Sequence, residues 1–266
     1  MPASHRETYG RRSPDLTSPF PKPVDGVGLS TPVGVVQDRS GRVWVADAGN
    51  SRLLVFDRSL ERVLGQVGSF GTDPGEFDLP FRLAHHPSEP RIFVTDLGNG
   101  RVQDLAYGEA DEDGVAVTVE GTFGPAGADF HPNGIALAED GRGLTVFVAD
   151  EFYHEDPTDT RSRIVVFDGA GRQTGGFRSV TRRYDDPIGL YWPQGVDTGP
   201  DGNLLVANTG YGQQVSEHGR PPYYANVVRC DPDGNGVPFS ATGTPVLDDE
   251  FAIPRAVNYL PDEERI

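Results

Sequence analysis

The sequence predicts an all-β fold built from repeated units of four antiparallel strands. Of its 266 residues, 34 are glycine and 23 are proline, which leaves little room for long helices. A proline opens a short apolar segment five times, at Pro32, Pro80, Pro132, Pro193 and Pro254. Their spacings of 48, 52, 61 and 61 residues are slightly above the repeat of about 40–50 residues of propeller blades, as insertions would make them. We therefore expect a β-propeller.

Each unit continues with further strands after the one that begins near the proline. Second strands that end in Asp or Asn are predicted over residues 43–47, 92–96, 146–150 and 204–208. Third strands follow over residues 52–57, 101–105, 163–168 and 226–231, and weaker fourth strands over residues such as 63–67 and 115–119. Four antiparallel strands make one propeller blade.

The first unit also carries a specific sequence pattern within residues 32–57. A Pro-x-Gly segment is followed by Gly-x-Val-Trp-Val-Ala-Asp, by Gly-Asn-x-Arg and by Val-Phe-Asp, and residues 96–101 repeat the middle part. This pattern resembles the NHL repeat, and the resemblance extends over residues 32–266. It implies an NHL-type propeller domain over 32–266, with four full blades and the start of a fifth in what is usually a six-bladed ring.

The last unit is short. Only 12 residues follow Pro254, whereas a blade needs about 40. We therefore expect either a fragment of a longer chain or an open ring that another copy completes by self-association. Residues 1–31 form an N-terminal extension that could lend one outer strand.

An acidic residue at the end of strand two and an arginine at the start of strand three recur together. The expected structural ion pairs are Asp47 with Arg52, Asp96 with Arg101, and Asp150 with Arg163. In the fourth unit both positions change together, to Asn208 and Asn226, as a direct contact would require because a single survivor would be an unpaired, partly buried charge. Catalysis by these acids is the alternative, but a residue that recurs in every blade is more simply a building element.

Composition excludes several function classes. Forty acidic and 23 basic residues give a net charge of −17, which disfavours nucleic acid as a partner. The single cysteine, Cys230, excludes an intrachain disulfide and is expected to serve in packing. No membrane-spanning stretch and no signal peptide are found, so we expect a cytoplasmic protein. The single lysine and the excess of Asp over Glu resemble acidic halophilic proteins, although an ordinary acidic protein from a GC-rich genome would also fit.

Two long insertions, residues 151–162 and 209–225, interrupt the loop between strands two and three. Long loops in a tight repeat usually carry binding function, so we expect a binding face for a partner protein or small ligand there, although solvated loops with incidental aromatic residues are the alternative. The residues expected to bind are Arg82, His131, Asn133, Tyr153, His154, Trp192, Gln194, Tyr211, His218, Tyr223 and Arg255.

A second resemblance points to metal-dependent catalysis. The segment 131–136 is similar to the Pro-Asn-Gly stretch of the gluconolactonase (senescence-marker) propellers, whose Asn ligates a divalent metal. This implies Asn133, with His131, as ligands of an ion such as calcium in a lactonase-like hydrolase or lyase. However, the position of that family's catalytic Asp is Gln194 here, the Glu expected on the first inner strand has only Val33 nearby, and a neutral amide cannot act as a general base.

Residues 231–236 begin like a calcium loop, but position 12 is Thr242, so the bidentate acid is missing and a plain turn explains the segment. No nucleophile motif is present, and the catalytic residues stay unassigned. We therefore expect a binding scaffold rather than an enzyme.

Overall fold

The computed structural model describes residues 27–111, 114–126, 129–151, 161–180, 188–190, 192–209, 226–240, 243–247 and 257. These residues form four antiparallel sheets of four strands each, in the order of the chain. The predicted all-β propeller with four-stranded blades is therefore confirmed. The N-terminal extension up to residue 26 and, except for Val257, the fifth unit lie outside the described residues.

Each blade is an antiparallel meander whose strands pair in sequence order. Blade 1 contains β1 (Pro32–Gln37), β2 (Val43–Asp47), β3 (Arg52–Phe56) and β4 (Val63–Val67). Blade 2 contains β5 (Pro80–His85), β6 (Arg91–Asp96), β7 (Arg101–Asp111) and β8 (Gly114–Phe123). Blade 3 contains β9 (Pro132–Asp140), β10 (Gly143–Asp150), β11 (Arg163–Asp168) and β12 (Gln173–Phe177).

Blade 4 follows a short two-stranded sheet that the sequence did not predict. This sheet pairs β13 (Ser179–Val180) with β14 (Ile188–Gly189). Blade 4 contains β15 (Pro193–Thr198), β16 (Leu204–Asn208), β17 (Asn226–Cys230) and β18 (Val246–Leu247). No helix in the described part of the chain is long and apolar enough to span a membrane.

The cores lie between neighbouring blades because side chains alternate between the two faces of each sheet. Trp44 and Leu53 of blade 1 pack with Ile92 and Leu105 of blade 2 in one such core. Two similar cores join blade 2 to blade 3 and blade 3 to blade 4. On the other side of blade 4, Val257 packs against its residues. Each blade therefore buries apolar residues on both faces where it has neighbours.

The first strands of successive blades contact each other, β1 with β5, β5 with β9 and β9 with β15. They therefore line the inner side of the blades. The antiparallel pairing places the start of each first strand beside the end of the second and the start of the third, as in Pro32–Asp47–Arg52. We call this edge of the blades the mouth face, and the chain between β10 and β11 leaves and re-enters the blade there.

Candidate functional site

A β-bulge follows the proline in every inner strand. In blades 1 and 4 the prolines pair with Asp47 and Asn208, and the register then shifts past one extra residue, Val33 or Gln194. Blades 2 and 3 show the same shift directly after their prolines. Bulges redirect side chains and recur beside functional sites. The shift therefore places one non-paired side chain per blade at the mouth face.

Two of these bulge positions carry amides that meet a carboxylate. Asn133 Nδ2 donates a hydrogen bond to Glu151 Oε2, and Gln194 Nε2 donates to the same oxygen at 3.4 Å. Asn133 is 1% exposed and Gln194 is 7% exposed, so both amides are buried. We call these three residues the amide–carboxylate cluster. It joins blades 3 and 4 at the mouth face.

The backbone beside Glu151 is fixed by its predecessor. Asp150 Oδ1 accepts the His131 N–H at 2.9 Å, and Asp150 Oδ2 accepts from Arg163 Nε at 2.8 Å. The N–H of Glu151 itself donates to the His131 carbonyl at 2.9 Å. The backbone at Glu151 is therefore held in place, although Glu151 is the first residue of the long insertion.

One acceptor in the cluster has no visible partner. Asn133 Oδ1 is buried and accepts no hydrogen bond from the described residues. A buried polar atom that stays unsatisfied costs about 1–3 kcal/mol. Orphaned atoms of this kind mark places where a ligand, ion or water is accommodated.

Arg82 lies on β5, one of the first strands that together form the inner wall of the blades. Its Nη1 donates to the Val33 carbonyl of blade 1 at 2.6 Å, and its guanidinium lies 5.6 Å from the Phe81 ring centroid. The neighbouring Thr95 hydroxyl donates to the Asn133 carbonyl at 2.9 Å. Contacts from blade 2 therefore reach both adjoining blades along the inner wall.

Residues 29–56, which include β1 to β3, match the family model described as the NHL repeat. The first blade carries an NHL repeat. The NHL repeat-containing protein 3 of Homo sapiens is 33% identical over 78 residues, which are 29% of this chain and 21% of that protein. The corresponding mouse protein is 35% identical over 77 residues. The matched segment is thus about a fifth of the length of these relatives.

Solved structures agree on the fold of this chain. A hydrazine synthase from Kuenenia stuttgartiensis superposes with a TM-score of 0.52 at 15% identity, over 79% of this chain and 49% of that one. A protein from Lactobacillus plantarum gives a TM-score of 0.50 at 16% identity, over 84% and 56%. The chain therefore spans about half the length of these structures, and the likeness supports the propeller fold alone.

The recurring acid and arginine of blades 1 to 3 are in contact. The three Nε–Oδ2 distances are 2.9, 2.8 and 2.8 Å for Asp47–Arg52, Asp96–Arg101 and Asp150–Arg163. In blade 4 the two amides also meet, because Asn208 Nδ2 donates to Asn226 Oδ1 at 3.3 Å. These contacts close the turn between strands two and three.

His131 and Trp192 are tied into the mouth face by their backbones. The Trp192 N–H donates to Ser162 Oγ at 3.3 Å, and its carbonyl accepts the Thr209 N–H at 3.2 Å. Trp192 has a left-handed φ of 53°, and Thr31 and Leu79, which also precede prolines, have φ values of 52° and 54°. This conformation costs about 1–3 kcal/mol in a non-glycine residue. Because it recurs in three blades, it is a property of the blade entry and not of a single site.

The remaining predicted binding residues lie outside the described residues; they are Tyr153, His154, Tyr211, His218, Tyr223 and Arg255. The described residues contain no group of three or more His, Cys, Asp or Glu side chains placed to hold a metal ion. In the calcium-like segment, Asp231 Oδ1 accepts the N–H groups of Asp233 and Asn235 at 3.0 and 2.8 Å. These are the hydrogen bonds of a turn.

Sequence reasoning missed Glu151 as a member of the site. It was counted only as the first residue of the insertion, whereas the structure makes it the residue on which two amides converge. A signal was available, because the same position after strand two is Ala48, Leu97 or Thr209 in the other blades. A charged residue at a position that is uncharged in the other three blades was therefore the sequence signal for Glu151.

A second polar cluster lies at the opposite edge of blades 1 and 2. His85 Nε2 and the Tyr107 hydroxyl are 2.6 Å apart, and Arg42 forms a buried ion pair with Asp38 at 2.6 Å. Burial lowers the pKa of His85 and raises the pKa of Tyr107. Asp38 also accepts from Trp44 Nε1 at 2.9 Å, so this cluster ties strands together within the core.

Proposed function

We propose that this chain is a binding scaffold that recognises a partner protein or small ligand at its mouth face and works in the cytoplasm, where its one buried thiol stays reduced. The observation that carries the proposal is the amide–carboxylate cluster, in which two neighbouring blades direct buried amides to one carboxylate. Convergent polar groups on a rigid scaffold are the usual form of a recognition site.

The position of the cluster supports this function. Glu151 is the first residue of an insertion, and insertions that break a repeat lie on the binding face of repeat proteins. The blade beneath it is rigid, because Phe147, Val148 and Ala149 of β10 are almost fully buried. A partner therefore binds to polar groups that are already fixed in position, and this preorganisation reduces the entropy lost on binding.

We also propose that these four blades belong to a six-bladed ring. Val257 covers one end of the array by packing against blade 4. At the other end Val36 packs toward blade 2, whereas Val35 points the other way and is 67% exposed. Further blades or a second copy would cover such a face. Light scattering of the purified chain measures self-association, and a monomer at all concentrations would exclude completion by a second copy.

A metal-dependent hydrolase or lyase is the second candidate. The orphaned Asn133 Oδ1 favours it, since amide and carboxylate oxygens suit calcium or magnesium. Asn133, Glu151 and Gln194 would hold such an ion only if both amides turned their oxygens toward it, and the ion would then polarise a substrate carbonyl. Native-state metal analysis after exposure to calcium, manganese or zinc tests this function. Stoichiometric metal that is lost in the Asn133→Ala, Glu151→Gln double variant would support the enzyme.

Site-specific photo-crosslinking tests the scaffold. Replacing Trp192 by p-benzoylphenylalanine places a reactive aromatic group at the mouth face, and cross-linked partners are identified by mass spectrometry. Leu60 is the matched control, because it is 41% exposed, has a left-handed φ of 62° and lies in the turn after β3, at the opposite edge. We expect a discrete product from position 192 only. Equal or no cross-linking at the two positions would contradict a binding function of the mouth face.

A further inference from the structure

We propose that Phe70 is the anchor by which the mouth face docks on a partner protein, and that it enters an apolar pocket of that protein whose rim carries basic side chains. This inference rests on the proposed binding function and specifies the class of partner, a protein and not a small ligand. It follows from the exposure of Phe70, the rigidity of its loop and the charges beside it.

Phe70 is the most exposed large apolar side chain of the described residues, at 73%. It lies in the connection 68–79 from β4 to β5, which ends at the mouth face and which we call the Phe70 loop. Leu79 of this loop and Leu29, just before β1, are also exposed on the mouth face, at 45% and 47%. The corresponding connection from β8 to β9 has eight residues, 124–131, whereas the Phe70 loop has 12. Joining two blades therefore does not require the additional length.

The backbone of the Phe70 loop is fixed on its inner side. Phe70 pairs with Phe77 in a parallel β-bridge. The Phe77 N–H donates to the Ser69 carbonyl at 2.8 Å, and the Gly71 N–H donates to the Phe77 carbonyl at 3.1 Å. The Phe77 side chain is fully buried in the core between blades 1 and 2. Phe70 is therefore attached to a residue that cannot move without opening this core.

The outer part of the loop is held by Arg101 of blade 2. Its guanidinium donates to the carbonyls of Thr72, Asp73 and Glu76 at 2.6, 2.9 and 2.8 Å. The same guanidinium pairs with the buried Asp96, so the loop is tied to the ion pair of blade 2. Because the loop is ordered before binding, little entropy is lost when Phe70 meets a partner.

The shape of this feature indicates a protein partner. Small-molecule sites are concave and enclose most of the ligand surface. A side chain that is 73% exposed encloses nothing, and it becomes buried only by entering a concavity of the partner. Aromatic side chains that fill such pockets are the residues that contribute most to the affinity of protein interfaces.

The charges beside Phe70 specify the rim of the pocket. The Glu76 carboxylate packs against Gly71, the next residue after Phe70, where a Cβ would collide with it. Asp73 is exposed on the same loop, and Arg101 is already paired with Asp96. The net charge of −17 extends this negative field over the chain and repels anionic membranes. Basic side chains around the pocket would complement these acids and speed association.

Photo-crosslinking followed by affinity measurement tests the inference. The full chain with p-benzoylphenylalanine in place of Phe70 is illuminated in extract of its source cells, and the product is identified by mass spectrometry. The protein so identified is then purified and is the probe for biolayer interferometry. Capture alone does not support the inference, which is decided by the affinities of this protein for the following variants.

Matched variants separate the anchor from the rest of the surface. Phe70→Ser should weaken binding at least about tenfold, and Phe70→Trp should bind within about threefold of the original chain. Leu60→Ser removes an exposed apolar side chain at the opposite edge and should leave the affinity within about twofold. Asp73→Asn should slow association at about 0.1 M salt and reduce its salt dependence. All four variants should keep the Tm within about 2 °C, because the changed side chains are exposed.

Several outcomes would overturn the inference. No product from position 70, or a purified partner that binds Phe70→Ser as tightly as the original chain, would remove the anchor. Flotation with phosphatidylcholine–phosphatidylglycerol vesicles that depends on Phe70, with no protein bound, would assign the loop to a membrane.

The two cross-linking positions distinguish this inference from the binding function of the mouth face. If position 192 identifies a partner whose affinity is unchanged in Phe70→Ser, this inference fails and the binding function stands. If neither position gives a product, both fail. A product from position 70 alone, weakened by Phe70→Ser, would support the anchor and exclude the amide–carboxylate cluster from the interface.

Discussion

The acid of blade 2 gives the sharpest test of how the blades are held together. Asp96 is fully buried and accepts four hydrogen bonds. The donors are Asp78 N at 2.8 Å, Asn99 Nδ2 at 2.9 Å, Arg101 Nε at 2.8 Å and Gln103 Nε2 at 3.1 Å. Asp96→Asn removes the charge and turns an amide N–H₂ toward existing donors. Arg101, only 15% exposed, is then left without its counter-ion.

The expected loss can be estimated from this geometry. Breaking a buried ion pair by removing one partner costs about 3–5 kcal/mol, and about 3 kcal/mol corresponds to roughly 6–12 °C in Tm for a protein of this size. Blade 4 tolerates two amides in the same positions, Asn208 and Asn226, in contact at 3.3 Å. The double variant Asp96→Asn, Arg101→Asn should therefore lose less stability than the sum of the single variants, with a coupling of about 1–3 kcal/mol.

Urea unfolding followed by circular dichroism measures the four corners of this double-mutant cycle. The control cycle uses Asp140 and Arg142, which form an exposed pair at 3.0 Å with side chains 53% and 93% exposed. Exposed pairs couple by about 1 kcal/mol at most. If the losses at Asp96 and Arg101 simply add, to within about 0.5 kcal/mol, the interpretation of these residues as a coupled structural pair is wrong.

Three further predictions concern pH, reactivity and packing. The backbone N–H of Arg172 holds the pKa of Asp168 below its ordinary value of 3.8, so the folded state binds this proton less readily than the unfolded state. The stabilisation is complete above pH 3.8 and is lost as the pH falls through the lower folded-state pKa, and Asp168→Asn should flatten acid unfolding curves in that window. Burial raises the pKa of Cys230 to about 12, so Ellman's reagent should not react at pH 8 until urea unfolds the chain; rapid labelling of the native protein would contradict this. A Cβ on Gly134 would lie 2.7 Å from a backbone oxygen of β15, whereas one on Gly175 meets nothing within 4 Å. Gly134→Ala should therefore lower the Tm by several degrees, and Gly175→Ala, the control, should leave it nearly unchanged.

The strands of the blades could be predicted from the sequence because characteristic residues stand where the strands begin and end. Proline begins each inner strand, at a position where strand pairing does not require a backbone N–H donor. A polar residue ends each second strand. The predicted fourth strand 63–67 coincides with β4. The short β13–β14 sheet was not predicted, since strands of two residues show no periodicity.

The candidate site could be predicted from the sequence only in part. The prolines pointed to Asn133 and Gln194, and the structure brings these two amides to one oxygen. Their convergence depends on the bulge after each proline and on the close approach of blades 3 and 4, where Gly134 lies against the Gln194 carbonyl. Such a contact joins residues about 60 positions apart and leaves no local pattern in the sequence. Likewise His131, selected for its side chain, holds its neighbours through backbone groups.

The ion pair of blade 3 has a practical consequence for engineering. Asp150 and Arg163 are 13 positions apart, whereas Asp47 and Arg52 are five apart, yet the Nε–Oδ2 distances are 2.8 and 2.9 Å. The ion pair therefore forms equally well whether a short turn or a long insertion connects strands two and three. Foreign peptides of different lengths, inserted between Asp150 and Arg163, should be displayed without unfolding the blade, so this position offers a cassette for building libraries of recognition loops.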